Sequence, residues 1–103
     1  MRHCYTVESA SRTLPYVSVI VAEVRECYRT WRDKGHECNA LSPELGDERG
    51  TLKEEIRVHA KRLKECQEEL LQLGIILKDH DLGLVDFPAE LDGRPILLCW
   101  EQS

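Results

Sequence analysis

Apolar residues recur every three or four positions in the first third of the chain, which is typical of an amphipathic helix. From residue 14 the spacings alternate between three and four, over Leu14, Val17, Val21, Val24, Tyr28 and Trp31. A second run keeps the same alternation, over Leu52, Ile56, His59, Leu63, Cys66, Leu70 and Leu73. Two heptad seams of this kind predict two long, coiled-coil-like helices that pack against each other.

Capping residues predict where the first helix begins and ends. Thr6 is a favourable N-cap residue, so we expect one or two helical turns over residues 7–13. Pro15 fits the first turn of a helix and disfavours helical backbone before it, so a new helix is expected to begin there. Gly35 is expected to end that helix, since glycine is the commonest residue just past a helix C-terminus.

Residues 35–50 are polar and contain three glycines, so they form the predicted connector. The second helix is expected to begin near Asp47 or Thr51, and Gly74 is expected to end it. Two seams joined by one connector predict an antiparallel helical hairpin over about residues 7–74.

The period changes to two after the second helix, which indicates strands over residues 75–78, 83–88 and 95–100. Asp92 and Gly93 lie between the last two strands. A two-residue Asp-Gly loop is a strong signal for a type I′ hairpin turn, because both positions need positive φ.

The turn also predicts the strand register, because it places Leu91 opposite Arg94. One face of the hairpin then carries only apolar residues, in the pairs Phe87–Leu98, Val85–Trp100 and Ala89–Ile96. Pro88 cannot donate a ladder hydrogen bond, so the middle of its strand is expected at an edge or a bulge. The predicted fold is α+β: a single domain over residues 1–103, with a small antiparallel sheet at about 75–101.

Two segments carry a recognisable pattern. The first runs from Tyr5-Thr6-Val7-Glu8-Ser9-Ala10 to Leu14-Pro15. The second contains Leu77-Lys78-Asp79, Gly83-Leu84-Val85-Asp86-Phe87-Pro88, Asp92-Gly93-Arg94 and Leu98-Cys99-Trp100. Together they resemble the family called domain of unknown function 2203, a group of small bacterial proteins. The resemblance implies no substrate, cofactor or catalytic residue. It also implies a further segment with a Trp-His pair and a Gly-Phe-x-Gly-Arg motif after Trp100, which this sequence lacks, so any activity of that histidine is expected to be absent.

Charge argues against nucleic acid and anionic membrane as partners. The chain has 19 acidic and 14 basic side chains, for a net charge of −5, which repels polyanions at long range. No apolar run reaches the roughly 18 residues of a membrane span, and no secretory signal is evident, so we expect a cytoplasmic protein. The basic residues Arg57, Lys61, Arg62 and Lys64 are interpreted as a solvated helix face, with a local basic patch as the alternative.

Five cysteines without a C-x-x-C motif indicate reduced thiols rather than a disulfide framework. Three of them are expected to act as small apolar side chains, namely Cys27, Cys66 and Cys99. The pairs His3-Cys4 and His36-Cys38 offer zinc-type ligands. Their spacing is unusual and both segments are predicted to be irregular, so we expect no metal and no cofactor.

Four charged residues near the predicted sheet form the candidate polar site: Lys78, Asp79, Asp86 and Arg94. They suggest a site for acid–base chemistry or a hard cation at the sheet–helix junction. The structural alternative is that Asp79 caps the turn before Gly83, and that Asp86 and Arg94 pair with each other or with backbone groups.

His59 occupies a seam position of the second helix. It is interpreted as a core histidine satisfied by one hydrogen bond. The alternative hypothesis is that it sets helix register or partner choice, as polar seam residues do.

No catalytic constellation is recognisable, so the leading hypothesis is a non-enzymatic, self-associating interaction module. We expect a homodimer or higher homo-oligomer through the long helices, because two helices and three short strands leave apolar seam positions uncovered. The alternative is a small enzyme or ligand-binding protein that uses the candidate polar site.

Overall fold

Two long helices and a three-stranded sheet make up the computed structural model, which describes residues 4–102. The elements are α1 (Val7–Ala40), α2 (Gly46–Gln72), β1 (Ile76–Asp79), β2 (Leu84–Leu91) and β3 (Arg94–Glu101). The sheet is antiparallel, in the order β1-β2-β3. The predicted α+β class, with a helical hairpin followed by a small antiparallel sheet, is confirmed.

The first helix begins where it was predicted but is not interrupted. The Thr6 hydroxyl accepts from the Ser9 amide at 3.0 Å, and the Ser9 hydroxyl accepts from the Thr6 amide at 2.8 Å, which is a capping box. The predicted break at Pro15 is wrong, because α1 continues through it. Buried Ala10 and Val17 hold the helix to the core on both sides of the proline, and this packing offsets the roughly 3 kcal/mol that an interior proline costs.

The predicted end of α1 at Gly35 is also wrong, because the helix reaches Ala40. Cys38, in the added turn, is only 4% exposed. Arg49 of α2 donates to the carbonyl groups of Cys38 and Leu41, each at 2.9 Å, and so satisfies the C-terminal end of α1. This packing and capping outweigh the cost of about 1 kcal/mol for an interior glycine.

The connector is therefore short, covering residues 41–45 rather than 35–50. α2 begins at Gly46, beside the predicted Asp47, and ends as predicted before Gly74. Gly74 has φ 75°, its amide donates to Leu71, and the Ile75 amide donates to Leu70. This is a Schellman motif, in which the left-handed residue reverses the chain and satisfies the last helix carbonyls.

The two helices pack in opposite directions along the predicted seams. Val17, Val21 and Val24 of α1 and Cys66 and Leu70 of α2 are buried in one core cluster. Ion pairs between Glu23 and Arg62 at 2.5 Å and between Lys34 and Glu55 at 3.0 Å link the same faces. Later positions on α1 pair with earlier ones on α2, which establishes the antiparallel arrangement.

The β2–β3 register agrees with the prediction at every pair from Leu91–Arg94 to Val85–Trp100. Asp92 and Gly93 have φ values of 53° and 75°, as a type I′ turn requires. The apolar row of the hairpin faces the helices, where Val85, Phe87 and Ala89 are buried. The sheet thus covers one end of the helical hairpin with a single face.

Candidate interaction surface

The other face of the sheet points away from the helices and mixes apolar with charged residues. Strand alternation places Ile76 of β1, Leu84 and Pro88 of β2, and Leu97 of β3 on this open face. Ile76 is 43% exposed and Leu97 is 53% exposed. These two apolar side chains lie on the outer strands with β2 between them, so the open face is a candidate interaction surface of mixed polarity.

Asp86 lies in the middle of the open face and yet is only 2% exposed. Its register partners are Ile76 on one side and Cys99 on the other. One carboxylate oxygen, Oδ2, lies 3.3 Å from Lys78 Nζ, whereas Oδ1 is buried without a hydrogen-bond partner. A buried carboxylate is costly without a countercharge, and Lys78 supplies that charge.

Cys99 is exposed, which corrects the prediction that it acts as a buried apolar residue. Neighbouring protein groups desolvate its thiol, and a hydrogen bond to Asp86 and the charge of Asp86 act in the same direction, so the pKa of Cys99 is raised. Its thiol therefore stays protonated at neutral pH. Cys38 is buried instead, and no two of the five cysteines form a disulfide.

Of the four residues of the predicted polar site, Lys78 and Asp86 come together, whereas Asp79 and Arg94 are used elsewhere. Asp79 caps the β1–β2 turn as expected, since its Oδ1 accepts from the Asp81 and Leu82 amides at 2.9 and 2.8 Å. Arg94 stands at the tip of the hairpin, five register positions from Cys99, the residue opposite Asp86. That is about 17 Å along the strand, so the expected Asp86–Arg94 pair is wrong and Lys78 takes its place.

A cluster of arginines on α1, which was not predicted from the sequence, holds the β1–β2 turn. Arg25 Nε donates to the Asp81 carbonyl at 2.9 Å, and Arg29 Nε binds the Asp81 carboxylate at 2.7 Å. Arg32 approaches the same carboxylate at 3.6 Å. The hydrogen bond from Arg29, followed by the charges of Arg32 and Arg25, lowers the pKa of Asp81. The three arginines are spaced four and three residues apart along α1, which is visible in the sequence. Their partner Asp81, however, lies 56 residues after Arg25.

Close contact between this turn and α1 explains Gly83. A Cβ at that position would lie 2.7 Å from Arg25 Cδ and 2.8 Å from Val21 Cγ1. The residue also has φ 68°, a conformation that L-residues seldom adopt. Gly83 therefore meets two requirements at once, the turn conformation and the approach to α1.

The edge of β2 beside β1 is partly covered by the N-terminal segment. The Tyr5 amide donates to the Pro88 carbonyl at 2.7 Å, and the Tyr5 hydroxyl donates to the Leu73 carbonyl at 2.5 Å. The Tyr5 ring packs edge-to-face on Phe87, with centroids 5.1 Å apart. Pro88 thus lies beyond the end of β1 with its nitrogen turned away from β3, so its missing N–H removes no β2–β3 hydrogen bond.

The opposite edge of the sheet, along β3, has no neighbouring strand among residues 4–102. Since Pro88 points away from β3, alternation directs the backbone groups of Leu98 toward β2 and those of Leu97 and Cys99 outward. Pro95 also occupies an outward position. The N–H that proline lacks would point away from β2 there, so no β2–β3 hydrogen bond is lost. The outward N–H and C=O groups of Leu97 and Cys99 form a template for another strand.

An apolar groove of about 240 Å³ runs beside this edge. It lies on the helix side of the sheet, between the first turns of α1 and β3. Its apolar lining includes Val7, Ala10, Leu14, Leu98 and Trp100. Val7 is 68% exposed, so the groove and the β3 edge together form one continuous surface of apolar side chains and backbone hydrogen-bonding groups.

The helices also expose apolar residues. Tyr16 and Val19 of α1 are more than half exposed and lie three residues apart. Val58 and Leu71 of α2 are more than half exposed but 13 residues apart, about 20 Å along the helix. The basic residues of α2 were interpreted as a solvated helix face, and the alternative of a basic patch is weakened because Arg57 binds Glu54 and Arg62 binds Glu23 and Glu65. The predicted dimer through the long helices stays a prediction.

His59 is half-buried, and its Nδ1 lies 2.8 Å from the Glu55 carbonyl oxygen of its own helix. This agrees with a seam histidine satisfied by one local hydrogen bond. Cys38 lies in α1 rather than in an irregular segment, and His3 lies outside the described residues. Over residues 4–102, no three His, Cys, Asp or Glu side chains are grouped closely enough to hold a metal ion. No helix within the same range is long and apolar enough to cross a membrane.

Within residues 4–102, these features define a small α+β protein in which a helical hairpin carries a three-stranded sheet with one open face and one open edge. Residues 3–103 match the family DUF2203, described as an uncharacterized conserved protein. The chain therefore belongs to the DUF2203 family. No curated protein and no solved structure matches it. The family description names no activity, so a function has to be argued from these surfaces.

Proposed function

We propose that this protein is a non-enzymatic, self-associating interaction module that docks through the β3 edge. The observation that carries the proposal is the eight-residue edge strand beside an apolar groove. Strand addition to such an edge gains backbone hydrogen bonds for affinity and side-chain burial for specificity. Of the predicted polar residues only Lys78 and Asp86 meet, as an ion pair, and the thiol of neighbouring Cys99 stays protonated, which supports a binding role over catalysis.

The lack of protection along the edge strengthens this argument. Proteins usually blunt an edge with prolines, bulges or charges. The central stretch of β3, residues 96–100, has no proline and no charged residue. Its register with β2 is regular throughout, so no bulge twists it away. A continuous, uncharged edge of this kind is retained in a soluble protein when a partner strand covers it.

A substitution at Leu97 separates edge pairing from folding. Leu97→Pro removes an outward N–H that β2 does not use, and Pro95 shows that this row of β3 accepts proline. Leu97→Ala is the matched control, because it loses the same side chain but keeps the N–H. We expect the native protein and Leu97→Ala to be dimeric and Leu97→Pro to be monomeric, by light scattering over a micromolar concentration series.

The fold of each variant is checked by circular dichroism, and Cys99→Pro with Cys99→Ala repeats the comparison at the next outward position. A folded Leu97→Pro variant with the native oligomeric state would contradict the edge as the docking surface. A native protein that is monomeric throughout the series would contradict self-association itself.

Ligand binding at the sheet–helix junction is the second candidate, and one observation favours it. The Arg25 guanidinium is half-buried, and its hydrogen-bond acceptors are neutral oxygens of Asp81 and Gln102. With Arg29 and Arg32 beside it, Arg25 adds a third positive charge, and such a cluster would suit an anionic ligand. Titration with inorganic phosphate, followed by amide chemical shifts, tests this candidate. Arg25→Gln should abolish a specific response and the exposed Arg57→Gln should retain it, whereas equal responses in both variants would contradict a site at the junction.

A further inference from the structure

We infer that two copies of this chain pair antiparallel along β3 in one register, with Leu98 facing Leu98 of the second copy across a two-fold axis. The inference rests on the proposed function and adds the geometry of the assembly. A two-fold axis perpendicular to the sheet would join two three-stranded sheets into one of six strands. Both helical hairpins would then lie on the same side of it.

Backbone hydrogen bonding selects this register. In a two-fold antiparallel pair, residues that point toward the partner strand exchange both of their hydrogen bonds. With Leu98 at the axis, Leu97 of each copy faces Cys99 of the other. The N–H and C=O groups of both residues are then all paired, which makes four hydrogen bonds between outward groups.

The neighbouring registers are poorer. With Leu97 at the axis, Cys99 faces Pro95, which has no N–H to donate. With Cys99 at the axis, Leu97 faces Glu101 and an apolar side chain is set against a charge. Only the register centred on Leu98 pairs Leu97 with Cys99 in both directions.

Side-chain pairing favours the same arrangement. On the helix side, Leu98 would face Leu98 and Ile96 would face Trp100 of the second copy. All three side chains are only half-buried in one chain, and two of them line the apolar groove. Apolar cross-strand pairs of this kind stabilise a sheet and would cover the groove, whereas centring on Cys99 would place Gln102 opposite Ile96.

Single-cysteine reporters distinguish the registers, because a residue faces its own copy only when it lies at the axis. Three variants, all with Cys4→Ser, carry one accessible cysteine in β3: L97C with C99S, L98C with C99S, and native Cys99. Copper-phenanthroline oxidation is followed by non-reducing electrophoresis and light scattering. We expect a disulfide-linked dimer for the cysteine at 98 and little for those at 97 and 99.

Each other cross-linking result would overturn the register, the edge pairing or the proposed function. A dominant cross-link at 97 or 99, with the dimer retained, would overturn the register but leave the edge as the docking surface. A dimeric mass without any cross-link would overturn the edge pairing. A monomeric mass in all three variants, each with a native circular dichroism spectrum, would overturn the proposed function together with the register.

Discussion

The two flanks of β2 differ in what holds them in place. On the β1 side the short strand is followed by a turn that three arginines of α1 hold, and Tyr5 extends the pairing beyond β1. On the β3 side the strand runs for eight residues, the turn is local, and no described strand lies beyond. One flank is therefore anchored to the helical hairpin, whereas the other is formed by its own local sequence and has no further strand beside it within residues 4–102.

The glycines of the two turns show this contrast most directly. Both have positive φ, at 68° for Gly83 and 75° for Gly93. A Cβ at Gly83 would collide with α1, whereas a Cβ at Gly93 would meet nothing within 4 Å. The anchored turn is therefore constrained by packing and conformation, and the exposed turn by conformation alone.

Gly83→Ala should give the largest effect. The positive φ costs about 1–2 kcal/mol, and the collision with Val21 and Arg25 adds roughly 1–3 kcal/mol. Chemical denaturation at constant protein concentration measures the loss. Gly50→Ala is the matched control, because Gly50 lies in α2 with open space around it and should gain roughly 0.5–1 kcal/mol. Equal effects of the two substitutions would contradict the anchoring of this turn.

Gly93→Val should cost less, about 1–2 kcal/mol, because only the left-handed conformation opposes the new side chain. Asp92→Asn should be nearly neutral, since asparagine suits the same turn. Thermal unfolding of both variants beside the native protein tests the expectation. A Gly93→Val variant as unstable as Gly83→Ala would remove the distinction between the two turns.

The exposed flank was also the more predictable from sequence. Asp92 and Gly93 determine their turn through their own conformational preferences, and the turn then determines every β2–β3 pair. The anchored flank depends on contacts between distant residues, so Asp81 reads as an ordinary acidic residue until Arg29 is placed beside it. The corrections in the helices have the same origin, because Arg49 caps α1 from the other helix and core packing on both sides of Pro15 holds α1 continuous.

Asp86 lies between the flanks, and a pair of double-mutant cycles locates its partner. Asp86→Ala and Lys78→Ala should be coupled by about 1 kcal/mol, near the low end for contacting residues, because Lys78 is 53% exposed. Asp86→Ala and Arg94→Ala should be additive within about 0.5 kcal/mol, since they lie far apart. Coupling of Asp86 to Arg94 in place of Lys78 would contradict the observed pairing.

The smallest expected effect is the loss of stability in acid that comes from Asp81 in the β1–β2 turn. The arginines lower the pKa of Asp81, so its ion pairs stabilise the fold above the unfolded pKa of about 3.9 and are lost as pH falls through the folded pKa. Asp81→Asn should therefore be less stable than the native protein at neutral pH, and the difference should vanish in acid. Asp92→Asn, at the exposed turn, is the control. A gap between native and Asp81→Asn that persists at low pH would contradict an electrostatic anchor.

Hydrogen exchange of the β3 amides is the most direct test of whether the β3 edge pairs with a second copy. The Leu98 and Trp100 amides point toward β2, whereas those of Leu97 and Cys99 point outward. In concentrated native protein, an edge-paired dimer predicts protection of all four amides, and dilution should release Leu97 and Cys99 before Leu98 and Trp100. Rapid exchange of Leu97 and Cys99 at every concentration, with Leu98 and Trp100 protected, would show that no second strand covers the edge.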